Sequence, residues 1–478
     1  DSNGDDTDGG AGAPGNGGNG SSTGGSGNGT GASGNGSGAS GTGGGDTGPT
    51  TNVKPDCAVE SSIADLGTPF DSASDNEGPD SPHALYGARP QIIARAWADG
   101  SLDIAWLDNG PETEADRDII LTHVERTETG YEAAWHDKIE GLGILAGFAR
   151  VGDDALVLTA LPEAISGSVA PENQDRDGIL QICRRTQECE DGYRVDLRSD
   201  FDGNIERLPI YQPLVAGDSR LEVSGDTYAI HYSQHTEYDA GVTNRHQVGR
   251  MFLGTTADGV LNHENGGISH SFSQRLTPID GGFLTGELGD ASHRGIAAGR
   301  LMNDGEFDRT NAFAIKGGDA PTGGGYNNTF TRLGPVFEAP HGGVLFFTSE
   351  NGNDYTTARV NVSRNLALVH LKTSFWGVDS PDYTTPAVDT DVGNDSTDAF
   401  EVPMKDYWGT VFTGDNQGIA WLTDYSNRET DHAERPQAVR IADDSYLVLW
   451  EHWSLSAYIE TMALVVDESG HVKTEAKS

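Results

Sequence analysis

The sequence predicts an all-β body assembled from a repeated four-stranded unit, and three observations carry that prediction. From Tyr86 onward, short alternating runs rich in Val, Ile, Leu, Tyr, Trp and Thr recur between Asp-Gly, Gly-Asp and Asn-Gly turns. Amphipathic stretches of helical period and ten or more residues are missing, so the strands have to cover one another. Third, the chain echoes itself. Arg89-Pro90-Gln91-Ile92-Ile93, an Asp99-Gly100 turn and Leu102-Asp103-Ile104-Ala105-Trp106 are answered by Arg435-Pro436-Gln437-Ala438-Val439, an Asp443-Asp444 turn and Tyr446-Leu447-Val448-Leu449-Trp450.

Looser versions stand between these two, at Gly152-Asp153, Gly225-Asp226, Gly281-Gly282 and Gly342-Gly343. A four-strand grammar repeated every ~45–60 residues is that of a β-propeller, whose radial repetition leaves few exposed sheet edges. Six blades fit the spacing best, and seven fit if residues 377–430 hold a degenerate one. Representative strands are Gln91–Trp97, Ser101–Leu107, Ala155–Leu161, Thr227–Ser233, Gly343–Ser349 and Tyr446–Trp450. The body so defined spans residues 86–478.

Residues 1–52 are a Gly/Ser/Asn-rich low-complexity tract with no large apolar side chain before Val53. Such a segment cannot bury enough surface to offset its conformational entropy, and it reads as a linker or stalk on the order of 40 Å in reach. Its GxGxxG match, Gly36–Gly41, has no strand before it and no helix after it, so it is compositional. Residues 53–85 form an acidic neck. A chain that begins at Asp1 without a basic-then-apolar leader is expected to be a processed, mature chain, extracellular or on the outer cell surface, with any lipid anchor lying upstream. No apolar run is long enough to span a bilayer as a helix.

Charge excludes more than it assigns. With 74 Asp+Glu against 31 Lys+Arg, the formal net charge is −43. That field disfavours nucleic acid and anionic lipid as partners and favours solubility and cation binding. Only seven of the basic residues are Lys, a balance compatible with a saline habitat or a GC-rich genome.

The cysteines are Cys57, Cys183 and Cys189. The segment Ile182–Cys189 reads as two strand ends around a tight turn, so a Cys183–Cys189 disulfide is expected to close the hairpin, contributing about 2 kcal/mol. Cys57 is then left over.

Asp-rich loops are the best candidates for an ion, and Ca²⁺ is the one cofactor the sequence suggests. Asn173, Asp175 and Asp177 place oxygen ligands at alternate positions before Gly178, as in the first half of a calcium loop. Arg184 stands where the twelfth-position Glu belongs. Asp200 and Asp202 form a weaker variant, as do Asp389 to Asp395; the plainer reading of all three is a turn. Histidines crowd the middle of the body. His231 and His235 share a strand face and, with His270 or His293, could make an imidazole site for Zn²⁺ or Cu²⁺; the plainer reading is polar residues bracing loops.

No GxSxG elbow, paired-carboxylate frame or Cys/His pair appears outside the Gly-rich tract, so no catalytic residue is assigned and a non-enzymatic role is favoured. His246, His270, Asp290, His293 and Arg294 form the candidate ligand-binding set. Trp408, Trp421 and Trp453 are candidates for stacking on sugars, whereas Trp97, Trp106, Trp135 and Trp450 sit where inward strand residues belong.

The stretches Gly267–Leu276 and Leu288–Ile296, with Asn244–Gly249, resemble secreted propeller-like proteins of predatory and soil bacteria, many of them lipoproteins. The likeness covers about residues 85–475 and implies architecture and location, not an activity. Three roles are therefore open: a tethered module binding a ligand, glycan or protein; a secreted hydrolase or lyase using a central pocket; or a subunit of a surface fibre whose Gly-rich tract packs between copies.

Overall fold

A computed structural model describes residues 92–107, 118–140, 145–162, 178–201, 204–210, 220–237, 245–289, 295–314, 332–350, 363–372 and 419–477, less the single positions 98, 129, 187, 208, 270 and 341. The Gly-rich tract, the acidic neck, Cys57, Asn173, Asp175, Asp177, Asp202, residues 389–395 and Trp408 lie outside them.

Six antiparallel sheets follow one another, each taking its strands in sequence order. Blade 1 holds β1 (Ile92–Ala96), β2 (Leu102–Leu107), β3 (Ile119–Thr127) and β4 (Gly130–Ile139). Blade 2 holds β5 (Leu145–Val151), β6 (Asp154–Pro162), β7 (Gly178–Arg185) and β8 (Asp191–Asp196). A small hairpin, β9 (Arg198–Phe201) and β10 (Asn204–Arg207), follows, and β11 (Pro209–Ile210) pairs with the far end of β7, so β8 and β11 share the outer edge. Blade 3 is β12 (Arg220–Ser224), β13 (Thr227–Glu237), β14 (Arg245–Thr255) and β15 (Leu261–Ser269). Blade 4 is β16 (Ser271–Ile279), β17 (Gly282–Gly289), β18 (Gly295–Met302) and β19 (Phe307–Ala314). Blade 5 is β20 (Arg332–Ala339), β21 (Gly342–Glu350), β22 (Arg364–Lys372) and β23 (Ile419–Trp421). Blade 6 is β24 (His432–Ala442), β25 (Ser445–Trp453), β26 (Tyr458–Val466) and β27 (Val472–Lys477).

This is a six-bladed β-propeller. The seventh blade considered for residues 377–430 is not formed by their described part: Ile419–Trp421 pairs with β22 and completes blade 5.

Alternation explains the packing. Each strand sends one set of side chains toward each neighbouring blade, and burying both sets is worth about 25 cal/mol per Å² of apolar surface. Leu156, Leu158, Leu180 and Ile182 of blade 2 meet Leu221, Tyr228, Ile230 and Phe252 of blade 3. Blades 1 and 2 share Leu121, Ile139, Phe148 and Val157; blades 5 and 6 share Phe346, Leu368, Tyr446 and Trp450. The turn at Gly259 shows how tight the fit is. Its φ is +75°, and an added Cβ would lie 2.8 Å from Ile182, Tyr193 and Val195 of the preceding blade.

The innermost strands are also tied by polar contacts. Arg95 on β1 donates from Nε and Nη2 to the Phe148 carbonyl on β5, and from Nη2 to the Leu221 carbonyl and the Glu222 carboxylate on β12, the last at 2.6 Å. One guanidinium thus joins three blades. Arg275 on β16 likewise donates to the carbonyls of Leu333 and Gly334 on β20.

The Arg-Pro-Gln echo marks the first hairpins of blades 1 and 6. Trp106 and Trp450 occupy their second strands, and both are buried. In β24 the ladder skips between Glu434 and Gln437, with Arg435 at φ 45°. Arg435 holds this bulge by donating to Glu451 at 2.5 Å while lying over Trp453.

The expected Cys183–Cys189 disulfide is not formed, although the hairpin is there. Across it Cys183 pairs with Arg194, whereas Cys189 sits in the turn before Asp191 at φ 60°. Cys183 is buried and donates its thiol to Asp191, while Cys189 is exposed and hydrogen-bonds Asp137. The two side chains leave the hairpin for different surroundings. Burial, with the Asp191 charge next, pushes the Cys183 thiol up to about 11; burial and then Asp137 raise Cys189 as well.

Candidate ligand pocket between blades 1 and 2

A pocket of about 470 Å³ opens between blades 1 and 2, at the end of the blades where the tight turns fall. Leu121 and His123 of β3 and Trp135 and Asp137 of β4 line it from blade 1. Arg150, Asp153, Ala155, Arg185 and Cys189 line it from blade 2. The register explains the selection. Leu121 pairs with Asp137 and His123 with Trp135, so all four side chains stand on the sheet face that looks toward blade 2. His136, between them, also borders the pocket, while its imidazole Nδ1 lies 2.9 Å from the Thr122 hydroxyl.

Behind the pocket is a buried carboxylate. Asp103 on β2 accepts the Trp97 indole N–H at 2.6 Å, meets His123 Nδ1 at 2.8 Å and lies 3.4 Å from Arg150 Nε. A carboxylate only accepts, so Nδ1 of His123 carries a proton, and in the neutral ring Nε2 then keeps its lone pair. The imidazole stacks on Trp135, with centroids 5.7 Å apart and planes 12° from parallel. His123 is thereby fixed in tautomer by Asp103 and in plane by Trp135.

The pocket's cations are neutralised within it. Arg185 binds Asp137 through Nε at 2.6 Å and Nη2 at 2.9 Å, with Nη1 3.0 Å from Asp191. Burial alone would raise the Asp137 carboxyl, but the Arg185 hydrogen bonds and charge outweigh it and hold that carboxyl low. Arg150 faces Asp103 and lies over Trp97 at 5.6 Å. An adjoining groove of about 550 Å³ shares Arg185, and its Lys138 and Arg194 face Asp118 and Asp191. Asp153, exposed on the β5–β6 turn at the pocket rim, makes no hydrogen bond or ion pair among the described residues.

The sequence proposes His246, His270, Asp290, His293 and Arg294 as ligand-binding residues. His270, Asp290, His293 and Arg294 lie outside the described residues, and of the His246 side chain on β14 nothing is described; the same holds for Asp200 on β9 and His235 on β13. His231 is fully buried between blades 3 and 4, its Nδ1 3.2 Å from the Arg275 carbonyl and its Nε2 3.7 Å from Glu287. Among the described residues no group of three or more His, Cys, Asp or Glu is placed to hold a metal ion.

The tryptophans also redistribute. Trp97 and Trp135, expected in the core, are 37% and 39% exposed, whereas Trp453, a candidate for stacking on sugar, is 3% exposed. Trp135 escapes burial because β4 is the outermost strand of its blade. Trp453 is covered by Arg435 and by Tyr458, and its indole N–H is taken by Glu451.

No protein family matches this sequence, and no curated protein resembles it. Among solved structures, the Trypanosoma rangeli sialidase is 10% identical over 80% of this chain, with a TM-score of 0.38; the match spans 55% of that protein, about half its length. The parainfluenza virus 5 hemagglutinin-neuraminidase is 7% identical over 84% of this chain and 96% of its own, at 0.37. A protein of unknown function from Dyadobacter fermentans is 7% identical over 82% and 97%, at 0.39. The propeller assignment stands on the six sheets and their order. Among the described residues no helix is long and apolar enough to cross a membrane.

Proposed function

We propose that this chain is a non-enzymatic binding module displayed outside the cytoplasm on its Gly-rich tract, and that it takes a glycan in the pocket between blades 1 and 2. The observation that carries the reading is Trp135, a large aromatic side chain left 39% exposed at a pocket and held flat by a stacked, carboxylate-anchored histidine. Aromatic planes pack against the apolar faces of sugar rings, while nearby polar groups fix orientation. Ca²⁺ at Asn173, Asp175 and Asp177 belongs to the same reading, as a loop-ordering ion whose removal by EDTA lowers the melting temperature.

A glycan array probed with the full chain and with Trp135→Ala tests it. Binding that Trp135→Ala abolishes supports the assignment; an empty array, or binding indifferent to the substitution, overturns it. Hydrolysis is the second reading, favoured by the Asp103–His123 pair, because an oriented imidazole with a free lone pair is a general base. A hydrolase panel separates the two, since turnover lost in His123→Phe would replace binding by catalysis.

A further inference from the structure

Taking the pocket as the glycan site, we infer that it selects an uncharged, hydroxyl-rich saccharide, and that Nε2 of His123 is the acceptor that recognises one of its hydroxyls. The argument is an inventory of what the pocket has left to offer. Its arginines face carboxylates: Arg185 is hydrogen-bonded by Asp137 and Asp191, and Arg150 Nε lies 3.4 Å from Asp103. Lys138 and Arg194 in the adjoining groove are met by Asp118 and Asp191. An anionic ligand would have to displace these carboxylates, in a protein of net charge −43.

Two acceptors stand open beside the aromatic plane. Asp103 holds the His123 proton on Nδ1, so in the neutral ring the other nitrogen presents a lone pair, and no group among the described residues donates to it. Asp153 adds an unengaged carboxylate at the rim. A ligand that satisfies acceptors beside an aromatic plane brings several O–H donors and an apolar ring face. Neutral hexoses and their oligomers have both. Uronic or sulfated sugars add negative charge beside Asp137 and Asp153, and that repulsion is the basis of the selection.

The test is binding of neutral oligosaccharides, with polygalacturonate and heparin as anionic probes, to the wild type, Trp135→Ala, His123→Phe and His123→Gln. Phenylalanine keeps the stack on Trp135 and removes the acceptor, whereas glutamine returns an amide carbonyl near the Nε2 position. Circular dichroism and melting temperature control for folding. The expected result is neutral-sugar binding weakened about tenfold in His123→Phe, as for one lost hydrogen bond, and kept within about threefold in His123→Gln. Binding lost in Trp135→Ala but unchanged in His123→Phe overturns this inference while leaving the pocket assignment standing. A preference for the anionic probes overturns the selection argument. Binding that Trp135→Ala does not touch overturns the pocket itself.

Discussion

Replacing Arg95 with methionine tests whether the propeller is held at its centre by polar ties as well as by apolar packing. Methionine keeps much of the aliphatic stem and removes the guanidinium that joins Phe148, Leu221 and Glu222. The two carbonyls can turn to water, so most of the cost falls on Glu222, a buried carboxylate left without its cation. Breaking a buried ion pair from one side costs about 3–5 kcal/mol, and the partial exposure of Arg95 places this case near the lower end, about 3 kcal/mol. In a body of this size that lowers the melting temperature by about 5 °C, and urea denaturation followed by tryptophan fluorescence reads it directly. Burial raises the Glu222 carboxyl, and Arg95 pulls it back down. Without Arg95 the folded-state pKa climbs further above the unfolded one. The deficit is then full where Glu222 must be charged, and it shrinks as pH falls through the raised folded value toward the unfolded carboxylate range. Arg95→Met/Glu222→Gln recovers much of the loss at neutral pH. A deficit below about 1 kcal/mol, or one flat from pH 7 to pH 4, refutes the reasoning.

Two further predictions concern the thiols and the turn at Gly259. Because Cys183 and Cys189 are not joined, reductant leaves the melting temperature unchanged. A fall of several degrees on reduction would restore the disulfide. A thiol reagent at pH 8 labels exposed Cys189 well before buried Cys183, and equal rates would contradict the burial assigned to Cys183. Gly259→Ala forces a side chain into a left-handed turn packed on Ile182, Tyr193 and Val195, so it costs about 2 kcal/mol or more in denaturant unfolding. A neutral result would mean that the blade 2–blade 3 contact is looser than drawn.

The repeat was legible because the first hairpin of each blade has to solve the same problem. Trp106 and Trp450 recur because the second strand is covered on both faces, and glycine recurs at turns such as Gly152 and Gly225 because their backbones need positive φ. The pocket was not legible. Its residues and their support come one or two at a time from β2 to β7 and from two turns, so no spacing in the chain unites Asp103, His123, Trp135 and Arg185. Alternation alone assigns Trp135 to the core, because it reports which face a residue occupies and not whether that face is covered. The available signal was its place in the fourth strand of the repeat, where a blade tapers toward solvent. The disulfide was misjudged for a related reason: six residues of separation fit a closed hairpin, but register decides which side chains meet, and it gives Cys183 to Arg194.

Apart from β11, which joins blade 2 after the β9–β10 hairpin, every described blade is built from consecutive strands, none borrowing a strand from the opposite end of the chain. That makes the pairing within blades local in sequence, the condition for quick assembly of successive units as the chain emerges during synthesis. Among the described residues, no single sheet holds strands from both the first blade and the last. Tension applied between Ile92 and Lys477 would meet no shared ladder of hydrogen bonds among the described strands, and blades would peel away from the ends. Mechanical endurance then depends on where along the chain the load enters.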